Sequence, residues 1–124
     1  MTAENLIIKF EKQMNEIMKW NEETFPDATL AGQLAKLEEE FDEYYKATTP
    51  EEEMKELADV FIVLAGLRRW DSIIGTRSEK DTLYRMPLKL IEELHQRIQG
   101  KMEINKERTR KGVWKKQPDG SYHH

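Results

Sequence analysis

Cysteine is absent from the 124-residue sequence. That excludes a disulfide framework and any thiolate metal site, and leaves hard metals with oxygen donors as the metal chemistry on offer. No apolar stretch is long enough to span a bilayer. Residues 1–15 lack the basic start and apolar run of a signal peptide, so a soluble cytoplasmic protein is expected. Internal repeats and low-complexity tracts are missing too, and glycine is sparse inside the periodic segments. No Ser-His pairing offers a covalent nucleophile. The length suits one domain with a single core.

Charge is present in excess and unevenly placed. Residues 1–100 carry 13 Lys/Arg against 21 Asp/Glu, a net of −8. Residues 101–116 carry 7 basic side chains against Glu103 and Glu107, a net of +5. An acidic body with a basic end can place metals on the one and phosphates against the other. The bland alternative is a solvated helix end.

The apolar residues recur at helical spacing almost throughout. Leu6, Ile7, Phe10, Met14, Ile17 and Met18 mark a first helix from about Ala3 to Glu22, ended by Phe25-Pro26-Asp27. Leu34, Leu37, Phe41 and Tyr44 mark a second from about Leu30 to Lys46. Thr49-Pro50-Glu51-Glu52 combines a cap, a first-turn proline and a capping box, and starts a third helix to about Trp70. Its run from Leu57 to Leu67 is apolar at nearly every position, which makes it the central helix. Asp71 to Lys80 reads as a loop, with Gly75 in it and Ser78 as a cap. A fourth helical region covers about Glu79 to Arg110, broken or kinked at Pro87. Residues 1–111 form the expected domain, and 112–124 an irregular tail with a turn at Pro118-Asp119-Gly120. The expectation is an all-α, four-helix-bundle-type fold completed by oligomerisation, as a homodimer or homotetramer.

Two acidic motifs stand out: Glu40-Phe41-Asp42-Glu43 on the second helix and Glu56-Leu57-Ala58-Asp59 on the third. Residues three apart share a helix face. The short connection makes the two helices antiparallel neighbours. Glu40 and Asp59 lie equally far from the turn, as do Glu43 and Glu56, so all four carboxylates fall at matching heights. Facing carboxylates repel unless cations compensate, and Mg²⁺ is the natural compensator. Asp59 is the only charge between Leu57 and Leu67, and buried acids are rare unless paired or bound to metal. Lys36, one turn before Glu40, can pair with a carboxylate or a phosphate.

The arrangement E-x-x-E, 12 intervening residues, then E-x-x-D resembles the MazG-like all-α NTP pyrophosphohydrolases, relatives of the all-α dimeric dUTPases. Lys101, Asn105 and Arg108, followed by Trp114, are similar to the K-x-x-x-N-x-x-R…W segment of the dATP/dGTP diphosphohydrolase branch. Trp20…Thr24-Phe25 ahead of Lys36-Leu37-Glu38-Glu39-Glu40 fits the same branch. The resemblance spans about residues 15–120. It implies a reaction: a (d)NTP, with a purine dNTP favoured, plus water gives (d)NMP and pyrophosphate. It implies Mg²⁺, or Mn²⁺ in its place, on Glu40, Glu43, Glu56 and Asp59. Glu39 and Glu40 are the implied catalytic residues, Glu39 as a group that orients a metal-bound water, and the sequence does not separate its role from that of Glu40. Lys101, Asn105 and Arg108 are implied to hold phosphates and sugar, opposite the metal. The gap between Arg108 and Trp114 is longer than the pattern and leaves Trp114 unassigned.

Trp20 and Phe25 are candidates to stack on a base, against a plain packing role. Glu92 and His95 form E-x-x-H, which a di-iron bundle needs twice and which occurs once here; His95 reads as a surface or interface residue. His123 and His124 are assigned no chemistry. Two other functions compete: a non-catalytic helical dimer acting as an interaction module, and a nucleic-acid binder using residues 101–116. The acidic remainder argues against the second.

Overall fold

The computed structural model describes residues 2–123, apart from the side chain of Ile74; His124 lies outside the described residues. Five helices make up almost all of it: α1 (Ala3–Thr24), α2 (Leu30–Lys46), α3 (Pro50–Leu67), α4 (Ser72–Leu83) and α5 (Leu88–Lys111). Two short strands follow, β1 (Lys115–Lys116) and β2 (Tyr122–His123), paired antiparallel with Lys115 opposite His123. The chain is therefore all-α, as expected. No described helix is long and apolar enough to cross a membrane.

Helix starts follow local chemistry. Thr2, Thr29 and Thr49 each accept a backbone N–H of the first turn through the side-chain oxygen, satisfying one of the donors that a helix start leaves open. Glu52 donates its own N–H to Thr49 Oγ1 and reaches back to accept the Thr48 N–H at 3.1 Å, one residue ahead of the cap. Pro87 ends the preceding turn and caps α5, and Gly112, at φ +67°, closes α5 in the left-handed conformation.

Helix α3 is central and packs against α1, α2, α4 and α5. Leu6, Phe10, Met14 and Ile17 from α1, Ala58, Phe61 and Ala65 from α3, and Ile91, Leu94, Ile98 and Met102 from α5 form the main core. On the other flank, Val60, Leu64 and Leu67 meet Leu37, Phe41 and Tyr44 of α2. Two faces of one helix are thus buried at once, which is what an almost unbroken apolar run requires. Ile7 and Met18, assigned to the α1 stripe, lie only half-buried at its edge.

Two expectations are corrected. The segment read as a loop from Asp71 to Lys80 is helix α4, with Ser78 inside it. Gly75 serves packing there: a Cβ would sit 3.1 Å from Arg68 Cγ and 3.2 Å from the Leu64 carbonyl oxygen, so glycine lets α4 approach α3. Buried Arg68 fastens the same contact. It donates to Glu79 Oε2 from Nε at 3.0 Å, and to Glu11 Oε1 and Asn15 Oδ1 from Nη1 at 2.9 Å. The tail from 112 is also ordered in part, as the β1-β2 hairpin. It rests on the start of α2, where a Cβ on Gly32 would lie 2.3 Å from the Gly120 backbone.

Candidate metal and nucleotide site

One cavity of about 360 Å³ is lined by Trp20, Phe25, Lys36, Glu39, Glu40, Glu43, Glu56, Asp59, Lys101, Asn105 and Arg108. These are all of the side chains given a metal, catalytic or substrate role from the sequence. Four segments deliver them: the end of α1, the inner face of α2, the first half of α3 and the last three turns of α5. The antiparallel α2-α3 hairpin sets the register. Gln33 Nε2 donates to the Val63 carbonyl oxygen at 2.8 Å, which holds the α2 start beside the α3 end.

At one end, carboxylate oxygens of Glu40, Glu56 and Asp59 lie within 4.8 Å of one another, all half-buried. One ion could reach all three. Glu43 lines the same cavity, yet among the described residues the close group is these three. Four ligands were expected. Glu43 is exposed, so its carboxylate relieves repulsion by facing water, while the half-buried three have less freedom to do so. Its charge still acts on Glu56.

Burial and mutual repulsion raise the carboxyl groups of this cluster. Burial first, then the neighbouring Asp59 carboxylate, pushes Glu40 above the usual range. Burial, Asp59 and Glu43 push Glu56 up in the same way. Burial raises Asp59 as well, against the pull of Lys101. Two ammonium groups offset part of this. Lys36 Nζ is 3.3 Å from Glu40 Oε1 and 3.9 Å from Glu39 Oε2, and Lys101 Nζ is 3.6 Å from Asp59 Oδ1. Lys101 therefore sits at the acid group itself, and the expectation of a basic face opposite the metal is corrected for this residue. The reason is the α3-α5 packing that buries Met102 next to it.

Asn105 is buried and Arg108 half-buried; Arg108 Nη1 donates to Asn105 Oδ1 at 3.4 Å. From Lys101 to Arg108 the row climbs about 10 Å along α5, at 1.5 Å per residue. The row thus runs away from the carboxylates. Glu39 and Glu40, inseparable by sequence, part in space. Glu40 belongs to the close group, while Glu39 stands at the rim beside Lys36 and 3.5 Å from His123 Nε2.

The other end is aromatic. Trp20 meets Phe25 edge-on with centroids 5.5 Å apart, and Trp114 packs on both at 6.4 and 5.2 Å. Tyr122 lies 4.5 Å from Phe25. Trp114, Ser121, Tyr122 and His123 line the cavity although the sequence reading assigned them nothing. A tryptophan and a tyrosine in an otherwise polar tail were the available signal. Arg69 orders this end: its Nη1 donates to Asn21 Oδ1 at 2.8 Å and to the Phe25 carbonyl oxygen at 2.9 Å. Glu92 and His95 do not join any site. Glu92 is exposed, and the half-buried His95 ring lies 6.0 Å from Phe10.

The fold and site together define an all-α chain with an acid cluster and an aromatic wall at opposite ends of one cavity. No family model, curated protein or solved structure matches the chain.

Proposed function

We propose that the protein is a Mg²⁺-dependent nucleoside triphosphate pyrophosphohydrolase of MazG-like type, converting a (d)NTP and water to (d)NMP and pyrophosphate, with a purine dNTP as the favoured substrate. The observation that carries this reading is the single cavity that joins Glu40, Glu56 and Asp59 to Lys36, Lys101, Asn105 and Arg108 and to an aromatic end.

The donor set fits a hard divalent ion. All three groups are carboxylates, their oxygens are close, and each holds its proton more tightly than usual, through burial first and, for Glu40 and Glu56, through the neighbouring carboxylates. Glu40, Glu56 and Asp59 would hold the ion, with Glu43 lining the same cavity at its exposed edge. When bound, Mg²⁺ or Mn²⁺ supplies Lewis-acid activation of water and charge neutralisation on phosphate. The remaining work falls to the chain. Lys36 and Lys101, beside Glu40 and Asp59, would meet the phosphates of a metal-held substrate, where preorganised cations cost no reorganisation. Glu39 is at the rim, positioned to orient a water. Asn105 offers an amide to sugar or phosphate, and Arg108 a charge-assisted contact.

The decisive experiment is a panel of dNTPs and NTPs with Mg²⁺, scored for pyrophosphate and monophosphate. Matched release of both products supports the enzyme. A chain that binds no nucleotide and releases no pyrophosphate is the non-catalytic module.

Association with a second copy belongs to the same reading. A groove of about 750 Å³ between α2, α3, α4 and α5 is lined by Phe41, Tyr44, Met54, Leu57, Met86 and Leu90. Tyr45 of α2 also lines it and stands exposed. Glu51, Glu53, Asp81, Arg85 and Glu93 also line the groove, so its apolar floor carries a charged rim, an arrangement that suits association. Sedimentation at micromolar concentration tests it, and a stable monomer would count against it.

A further inference from the structure

The β1-β2 hairpin does not lie idle beside the helices. It closes one side of the cavity. Gly120 and Gly32 meet backbone to backbone, closely enough that a Cβ on Gly32 would fall 2.3 Å from both the Gly120 carbonyl carbon and its oxygen. Gly120 has φ +87°, and a Cβ there would lie 2.6 Å from Thr29 Oγ1. Lys116 Nζ donates to the Asp27 carbonyl oxygen at 2.9 Å and fixes the other edge. This anchoring holds Tyr122 against Phe25, while the turn after α5 brings Trp114 onto Phe25 and Trp20.

The direction of the cavity is equally informative. Along α2, Gly32 and Gln33 are at the hairpin end and Glu40 and Glu43 at the acid end. Along α5, Lys101 touches Asp59, and Arg108 is two turns nearer Trp114. Charge and aromatic surface are separated along one axis. A molecule with a polyanionic tail and a flat apolar head fits that axis in one orientation only. Its anions reach Lys36, Lys101 and the carboxylate-held cation, and its head reaches Trp20, Phe25, Trp114 and Tyr122.

We propose that the C-terminal hairpin, latched by the Gly32–Gly120 contact, is the wall that receives the planar ring of the bound nucleotide and sets which ring is accepted. This rests on the triphosphate reading above. It goes beyond it by assigning ring selection to residues 112–123, separately from the phosphate-binding row on α5.

The test compares Mg²⁺ complexes of the four common dNTPs with inorganic tripolyphosphate, which has the anions without a ring. Binding is measured by calorimetry on the full chain. The key variant is Gly32→Ala: its methyl displaces the hairpin, while alanine favours the helix itself. Trp114→Leu and Tyr122→Leu remove the rings without moving the backbone latch, and far-UV circular dichroism verifies the helices in each variant. Tripolyphosphate should bind wild type and variants alike. Affinity for the preferred dNTP should drop about tenfold or more, as loss of an aromatic stacking surface does, and preference among the four should narrow. If wild type binds the dNTPs and the variants keep both affinity and preference, the hairpin is no ring wall and this proposal falls alone. If wild type binds neither dNTPs nor tripolyphosphate, the triphosphate reading falls and takes this proposal with it.

Discussion

Lys101 Nζ on α5 lies 3.6 Å from Asp59 Oδ1 on α3, so the one charge in the apolar run of the central helix is answered by a cation from the basic segment. Lys101 pulls the Asp59 pKa down against burial, which raises it. The ammonium is 28% exposed and the carboxylate 17%, so the pair can open toward an arriving phosphate and ion. Lys101→Ala should lower kcat by about 10²-fold, the loss typical of one preorganised charge-stabilising donor. Steady-state pyrophosphate release checks this. Unchanged turnover would confine Lys101 to a structural role.

Metal affinity should weaken on acidification from a higher pH than ordinary carboxylates would give. Ligands must be deprotonated to bind, and Glu40, Glu56 and Asp59 all hold their protons above the usual range. In the metal-free chain the same shifts act the other way. A carboxyl whose folded pKa is raised binds more protons folded than unfolded, so its contribution to stability falls as pH rises through that window. Mg²⁺ should therefore raise the thermal midpoint more at about pH 7.5 than at about pH 5, both above the roughly 3.9–4.3 of free carboxyls. Glu40→Gln should raise the metal-free midpoint at neutral pH and abolish most of the Mg²⁺ response. Calorimetric scans with Mn²⁺ and Mg²⁺ read both effects.

Arg108 should matter to every nucleotide equally. Arg108→Ala should lower turnover across the panel, since phosphates are common to all substrates, and leave the helices intact, because a half-exposed helical arginine contributes little to stability. A changed order of preference among bases, with full turnover on one of them, would make Arg108 a reader of the ring instead.

The buried Arg68–Glu79 pair should be costly to break. Glu79 is 2% exposed, and its Oε1 has no partner. Arg68→Met would strand that carboxylate and should destabilise the chain by about 3–5 kcal/mol, with much of the loss recovered in Arg68→Met/Glu79→Leu. Burial pushes Glu79 up to about 7 from 4.5 in spite of Arg68. Folding then takes up a proton between those values, so this group's contribution to stability falls as pH rises from 4.5 to about 7. Glu79→Gln should flatten that slope in urea titrations across the same range.

Local chemistry determined much of the molecule. The α2 and α3 boundaries followed from Thr49-Pro50 and from the apolar spacing, since caps and periodicity act over a few residues. The matching heights of Glu40, Glu56 and Asp59 followed from one short connection, because a hairpin of two helices has little freedom in register. Tertiary packing decided the rest. Gly75 reads as a breaker in the sequence, and only the packing of α4 on Arg68 and Leu64 makes it a close contact within a helix. Glu43 has the same spacing as its partners, and only exposure takes it out of the close group. Lys101 faces the acids because Met102 must be buried between α3 and α5. The hairpin's place on the cavity depends on two glycines 88 positions apart, Gly32 and Gly120. A backbone contact of that separation leaves no local pattern in a sequence, because it is decided where two distant surfaces meet.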